Sequence, residues 1–144
     1  MKFVNYVLSV SALALGAIAL TNPAKAANEP AYNPSSAMDV DGIVTAVHYV
    51  PAGQPLEGEH LTVKNKTATF DVYLGPADFL KMLKTNFPIG DEIDVMGSRV
   101  KFNNADLILA REVTERTATL TLRDLYGAPV WQNWGVEADP SAIH

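Results

Sequence analysis

One histidine in this chain stands beside acidic residues, and this group is where metal chemistry is conceivable. His60 opens a segment of alternating polar and apolar residues, and Glu57 and Glu59 come just before it. Imidazole and carboxylate groups bind divalent cations, and imidazole also titrates near neutral pH. The sequence offers His60, Glu57 and Glu59 as weak candidates for a divalent-cation or pH-sensing site, but it favours a solvated strand end.

A polar face extends from His60 along two strand-like segments. In residues 60–64 the apolar Leu61 and Val63 alternate with polar residues, and residues 68–74 alternate in the same way. Successive side chains of a strand point to opposite faces, so the polar positions share one outward face. With two arginines from later strands, they form the predicted ligand-binding set: His60, Thr62, Lys64, Asp71, Tyr73, Arg99 and Arg123.

The two arginines admit two interpretations. A strand arginine either makes a bidentate ion pair or points into a ligand groove. Because acidic residues outnumber basic ones, we expect Arg99 and Arg123 to be ion-paired, with Asp71 or Asp78 as acceptors.

The chain contains none of the common catalytic motifs. It has no G-x-S-x-G elbow, no H-E-x-x-H, no G-x-x-x-x-G-K-[ST] and no cysteine nucleophile. The other histidines, His48 and His144, share no ligand spacing with His60, and His48 is interpreted as a partly buried strand residue. The sequence therefore predicts a protein that is not an enzyme and needs no cofactor.

The elements that would position these residues follow the order strand-strand-strand-helix-strand-strand. A long strand near residues 40–50, the hairpin of residues 60–74, a helix after Gly75-Pro76 and a hairpin turning at Asn103-Asn104 give that order. The predicted class is all-β, a small OB-like five-to-six-stranded Greek-key barrel with one short helix between strands 3 and 4. Such barrels usually bind ligands on strands 2 and 3.

The predicted helix carries an apolar stripe. Phe79, Leu80, Leu83 and Phe87 recur at helical spacing. A helix this short is stable only when it is docked, so we expect the stripe to close the bottom of the barrel. On that basis Leu83→Asp should bury an unpaired charge and destabilise the domain.

The N-terminus has the pattern of a secretory signal. Lys2 precedes a mostly apolar run over residues 6–20, and Ala24-Lys25-Ala26 fits a small-x-small cleavage site. The pattern predicts a signal peptide over residues 1–26, with an uncleaved membrane anchor as the alternative, although the run is short for a membrane span. We expect a flexible leader over 27–37, the barrel over 38–134, a tail over 135–144, and a periplasmic or secreted protein with no stable membrane span.

Charge and cysteine content exclude several roles. The 144-residue chain has a formal net charge of −5, and removal of Lys2 and Lys25 leaves 9 basic and 16 acidic residues, or −7. A binder of nucleic acid needs a basic surface, so nucleic acid is not expected as a partner. The absence of cysteine excludes disulfides, a lipid-anchoring cysteine and a C-x-x-C-H haem attachment.

Several short strings carry a family resemblance. They are Leu74-Gly75-Pro76 with Phe79-Leu80, Gly97-Ser98-Arg99-Val100, Ala110-Arg111-Glu112-Val113, and Leu122-Arg123-Asp124 with Gly127, Pro129 and Trp131. Over residues 41–134 the chain resembles the exported bacterial OB-like domain of the MamS and MamX magnetosome proteins. The resemblance implies that fold and an exported location, and its magnetosome members point to iron mineral formation. The C-x-x-C-H motif of some relatives is absent here, which argues against electron transfer.

Two functions follow from these observations. The first is an exported, non-enzymatic OB-like binding module whose partner is an unknown protein, small ligand or cation of the cell envelope. The alternative, implied by the resemblance, is a metal-handling or redox-accessory protein of the cell envelope. Metal titration followed by thermal stability separates the two, because a specific site raises the melting temperature.

Overall fold

The computed structural model of the chain describes residues 29–132. The predicted signal peptide and the predicted tail lie outside the described residues, as do the last two residues of the predicted barrel, 133 and 134. Between residues 29 and 132, no helix has the length and apolar character needed to cross a membrane.

Six strands and one α-helix make up this part of the chain. Their bounds are β1 Ala37–Val50, β2 Gly58–Lys64, β3 Thr69–Gly75, α1 Ala77–Met82, β4 Glu92–Phe102, β5 Ala105–Glu115 and β6 Ala118–Thr121, and a 3-10 turn over Pro34–Ser36 precedes β1. The β4–β5 hairpin turns at Asn103 and Asn104, whose φ angles of 51° and 65° are those of a type I′ turn.

The strands close into a barrel. The antiparallel order is β3-β2-β1-β4-β5-β6. A parallel pairing of β3 with β5, at Val72↔Ile108 and Tyr73↔Leu109, closes the first five strands of this order into a ring, and β6 pairs with β5 beside it. The long β1 pairs with two strands: residues 37–43 pair with β4, and residues 43–50 pair with β2. The predicted OB-like barrel, with its helix between β3 and β4, is confirmed.

The helix docks on the barrel core through fewer residues than the sequence predicts. Phe79 and Leu80 are buried in the core, and Phe87 joins them from the segment after the helix. Leu83, in contrast, is 38 % exposed, because the helix ends at Met82 and Lys84 turns the chain away with a φ of 58°. The expectation that Leu83 belongs to the buried stripe is therefore wrong.

The segment before β1 packs against the barrel. The Asn33 backbone N–H donates to Ser98 Oγ at 3.0 Å, and the Ser36 hydroxyl lies 2.8 Å from the same oxygen. Ser98 is fully buried on β4, and a buried hydroxyl requires hydrogen-bond partners. Residues 29–36, expected as part of a flexible leader, thus supply polar groups that the barrel needs, and β1 begins at Ala37.

Candidate functional site

The loop between β1 and β2 folds over the face that OB-like barrels usually offer to ligands. Leu56 of this loop is 3 % exposed, and its carbonyl oxygen lies 2.9 Å from His60 Nε2. The Tyr73 hydroxyl donates to the Glu57 carbonyl at 2.8 Å. Leu56 has a left-handed φ of 58°, and its N–H donates to the Glu29 carboxylate at 2.9 Å. The loop therefore buries part of the predicted open polar face.

Under this loop, strand register brings two histidines and an aspartate together. His48 on β1 pairs with His60 on β2, and Thr62 pairs with Asp71 on β3, so Asp71 is a diagonal neighbour of His60. One ligand atom from each of His48, His60 and Asp71 lies within 4.8 Å of the other two. These three residues are called the histidine cluster below.

The hydrogen bonds of His60 define which of its nitrogens is available. The Leu56 carbonyl can only accept, so Nε2 carries the proton in that contact. Nδ1 faces Asp71 Oδ1 at 3.6 Å, and both atoms are buried without a hydrogen-bond partner among residues 29–132. With neutral His60, two acceptor atoms thus face each other across a gap. A cation in the gap, either a proton on Nδ1 or a metal ion, makes that arrangement favourable.

The donor set suits a divalent transition metal. Imidazole nitrogen and carboxylate oxygen are ligands of zinc, iron and copper, and a carbonyl that accepts from the second imidazole nitrogen orients the ring for coordination. Ligands about 2.1 Å from a tetrahedral ion are about 3.4 Å apart. The 3.6 Å gap between His60 and Asp71 is close to that spacing. His48 is exposed and stacks on His60 at 4.9 Å, so its ring has room to rotate toward the gap.

The acidic partners that the sequence predicts for His60 lie elsewhere. A carboxylate oxygen of Glu57 accepts from the Gly53 N–H at 3.0 Å within the loop. Glu59 is 9 % exposed, and burial raises the pKa of its carboxyl above the ordinary value. The cluster around His60 contains neither residue and takes its acid from β3 instead. His60 itself is 4 % exposed, so it is not a solvated strand end.

A second group forms around Arg123, a few residues beyond β6. Its guanidinium carbon lies 5.2 Å from the Trp131 ring and 5.9 Å from the Tyr32 ring, within cation–π range. Trp131 also meets Tyr73 edge-on at 6.4 Å. Burial lowers the pKa of Arg123, whereas Tyr73, Tyr32 and Glu29 act in the opposite direction. Burial has the opposite effect on the neutral acid Tyr73 and raises the pKa of its hydroxyl.

These residues line an open cleft of about 610 Å³, called the arginine cleft below. Its walls are formed by Glu29, Pro30, Ala31, Tyr32, Leu56, Glu57, Tyr73, Pro76, Arg123, Pro129 and Trp131. Gly75 packs closely against the Trp131 ring, because a Cβ at this position would stand 2.9 Å from that side chain. Two of the predicted ligand residues, Tyr73 and Arg123, thus share one cleft.

The remaining predicted ligand residues are not part of either group. Arg99 is ion-paired, as expected, but its acceptor is Asp106 on β5 and neither Asp71 nor Asp78. Lys64 is exposed and borders a depression at the opposite end of β2, and Thr62 is half-buried between Lys64 and His60. The predicted set therefore separates into three parts: His60 with Asp71 in the histidine cluster, Tyr73 with Arg123 in the arginine cleft, and the outlying Thr62, Lys64 and Arg99.

Several site residues have no signal in the sequence pattern. His48 has no ligand spacing in the sequence, and its place opposite His60 depends on a strand register that the sequence of the 51–57 loop does not reveal. An alternation count along β1 could have put His48 on the polar face, but not beside His60. Tyr32 lies in a segment expected to be flexible, and its position is explained by tertiary contacts of its ring with Gly127 and Arg123.

The fold and site define an OB-type barrel with a covered ligand face and a histidine cluster on its outer surface. The family described as the MamS/MamX magnetosome protein family matches residues 36–120. The chain belongs to that family.

Other comparisons add little. No curated protein matches the chain significantly. Among solved structures, a chain of the S. pombe Stn1–Ten1 complex is similar at 15% identity and a TM-score of 0.42, over 59% of this chain and 68% of that one.

Proposed function

We propose that this protein is an exported, non-enzymatic binding module of the cell envelope that holds a divalent transition-metal ion at the histidine cluster. The observation that carries the proposal is the pair of buried acceptors, His60 Nδ1 and Asp71 Oδ1. They face each other at 3.6 Å, and neither has a hydrogen-bond partner in the part of the chain that the structure describes. A bound cation would satisfy both atoms, and His48 would supply a third ligand.

The ligand count favours metal handling over a closed structural site. Three protein ligands leave at least one coordination position open, whereas structural zinc sites use four. Calcium prefers six to eight oxygen ligands, so two imidazoles and one carboxylate disfavour it. Membership of a magnetosome protein family supports the metal-handling role that the sequence offers as its alternative.

Location and partner class follow from the N-terminal pattern and the charge. The predicted signal peptide supports a periplasmic or secreted protein. The net charge of −5 and the loop over the β2–β3 face argue against nucleic acid as the partner.

Titration of tag-free protein with Fe(II), Zn(II), Cu(II) and Ca(II), followed by thermal unfolding, tests the proposal. At a metal concentration 100-fold above Kd, binding stabilises the fold by about 2.7 kcal/mol. That should raise Tm on the order of 10 °C. We expect such a rise with at least one transition metal and none with Ca(II).

Two variants show whether the histidine cluster is the site. His48→Ala removes an exposed ligand and Asp71→Asn keeps the shape of the side chain, and each should weaken metal binding at least about tenfold. His144→Ala is the matched control, since it removes a histidine without altering His48 or His60. No Tm rise with any transition metal would refute the proposal. Equal affinity in the Asp71→Asn variant would place the metal elsewhere.

A further inference from the structure

Arg123 is a buried cation without an acidic partner in the part of the chain that the structure describes. Its side chain is 8 % exposed, and between residues 29 and 132 no carboxylate forms an ion pair with it. The Glu29 carboxylate is close enough to raise the pKa of Arg123, but one of its oxygens is engaged by the Leu56 N–H. Burying a charge without a partner is costly, so this arginine is poorly explained by folding alone.

The hydrogen bonding of Arg123 leaves one edge of the guanidinium unused. Nη1 donates to the Gly127 carbonyl at 2.9 Å, which anchors the group. Within residues 29–132, Nε is buried and has no acceptor, and the bond from Nη1 is the one side-chain hydrogen bond of Arg123, which leaves Nη2 without an acceptor there. The Nε–Nη2 edge presents two parallel N–H donors, the arrangement that binds a carboxylate through both of its oxygens.

The arginine cleft favours a particular kind of carboxylate. Its volume of about 610 Å³ is typical of a small-molecule site, and aromatic rings and prolines form most of its wall. Arg123 is the single cation among the lining residues, while Glu29 and Glu57 also line the cleft. A ligand with several negative charges would be repelled by those two acids, whereas a single carboxylate meets the one free donor edge.

We propose that the arginine cleft binds the carboxylate of a small organic monoanion. Nε is buried in the structure, so the carboxylate meets the Nε–Nη2 edge of Arg123 through a small shift of the surrounding side chains, and a flat apolar body lies against Tyr32 and Trp131. The site is separate from the histidine cluster and goes beyond metal binding, although Tyr73 adjoins both, since its ring lies 5.0 Å from that of His60.

Nuclear magnetic resonance of the Nε–H groups tests this directly. The sequence has four arginines, Arg99, Arg111, Arg116 and Arg123, so their ¹⁵N Nε–H signals are few. Sodium benzoate added up to about 20 mM should shift the Arg123 signal saturably, with Kd on the order of 1 mM or tighter. Benzamide, which has the same shape and no charge, should not. Absence of a saturable benzoate shift, or equal shifts with benzamide, would overturn the proposal.

Variants and a second anion sharpen the result. Arg123→Lys keeps the charge but removes the two-donor edge, and should weaken benzoate binding at least about tenfold, while Arg99→Lys should leave it unchanged. Inorganic phosphate that shifts the Arg123 signal as strongly as benzoate would refute carboxylate selectivity. His48→Ala should retain benzoate binding, so a failed metal proposal and a failed carboxylate proposal are distinguishable. If Arg123→Lys does not fold, the titrations of the unaltered protein still decide the matter.

Discussion

Replacement of Leu80 by alanine measures how much the docked helix contributes to the barrel. Leu80 is 1 % exposed and packs within the main core, together with Phe79 and Phe87. Removing a buried leucine side chain loses its transfer free energy and leaves a cavity, which costs about 2–5 kcal/mol. In a domain of this size that corresponds to a fall in Tm of about 10–25 °C.

Leu83→Ala is the matched comparison, because Leu83 has the same side chain on the next turn and is 38 % exposed. We expect it to cost less than about 1 kcal/mol. Urea unfolding followed by circular dichroism gives both values, and an unchanged m-value shows that the denatured state is not the cause. Equal losses in the two variants would refute the docking described here, as would a Leu80→Ala loss below 1 kcal/mol.

Two further predictions concern β4. A Cβ on Gly97 would stand 2.4 Å from the Leu109 carbonyl oxygen. Gly97→Ala should therefore lower the free energy of unfolding by about 1–3 kcal/mol, measured by urea titration. An unchanged urea midpoint would contradict this prediction. Burial is the largest cause that raises the pKa of Asp94 above 3.8, and the charges of Asp39 and Asp41 add to it. The folded state therefore binds this proton more tightly than the unfolded state does. The free energy of unfolding falls as pH rises through the raised pKa. Asp94→Asn should stabilise the protein by about 0.5 kcal/mol at pH 7, less in high salt and not at all below pH 3.8. Equal stability of the two proteins at pH 7 and low salt would contradict that assignment.

The β-hairpins are the part of the fold that local sequence predicts well. Leu61 and Val63 alternate with polar residues and are buried, and the asparagine pair at 103–104 forms the expected turn. These features depend on neighbours within a few residues, so the pattern is sufficient to predict them. The helix is only partly predictable: its start at Gly75-Pro76 is encoded locally, but its early end depends on the left-handed turn at Lys84.

The candidate sites are less predictable than the strands. The sequence indicates His60, Asp71, Tyr73 and Arg123 as candidate binding residues, but it does not indicate their partners. Asp71 belongs with His60 only because β2 and β3 pair in one register, and a shift of one residue would turn its side chain to the other face. Glu57, an acid close to His60 in sequence, instead accepts a hydrogen bond from the Gly53 N–H within the loop.

By itself, the sequence determined the class of fold, the absence of cysteine chemistry, the acidic charge and the residue types available for binding. Those properties follow from composition and from periodicity along short segments. The tertiary structure alone decided that His48 joins His60 and that Arg123 is buried between Tyr32 and Trp131. The reason is physical: both groupings join segments far apart in sequence, and their formation depends on barrel closure and on a loop with no periodic pattern.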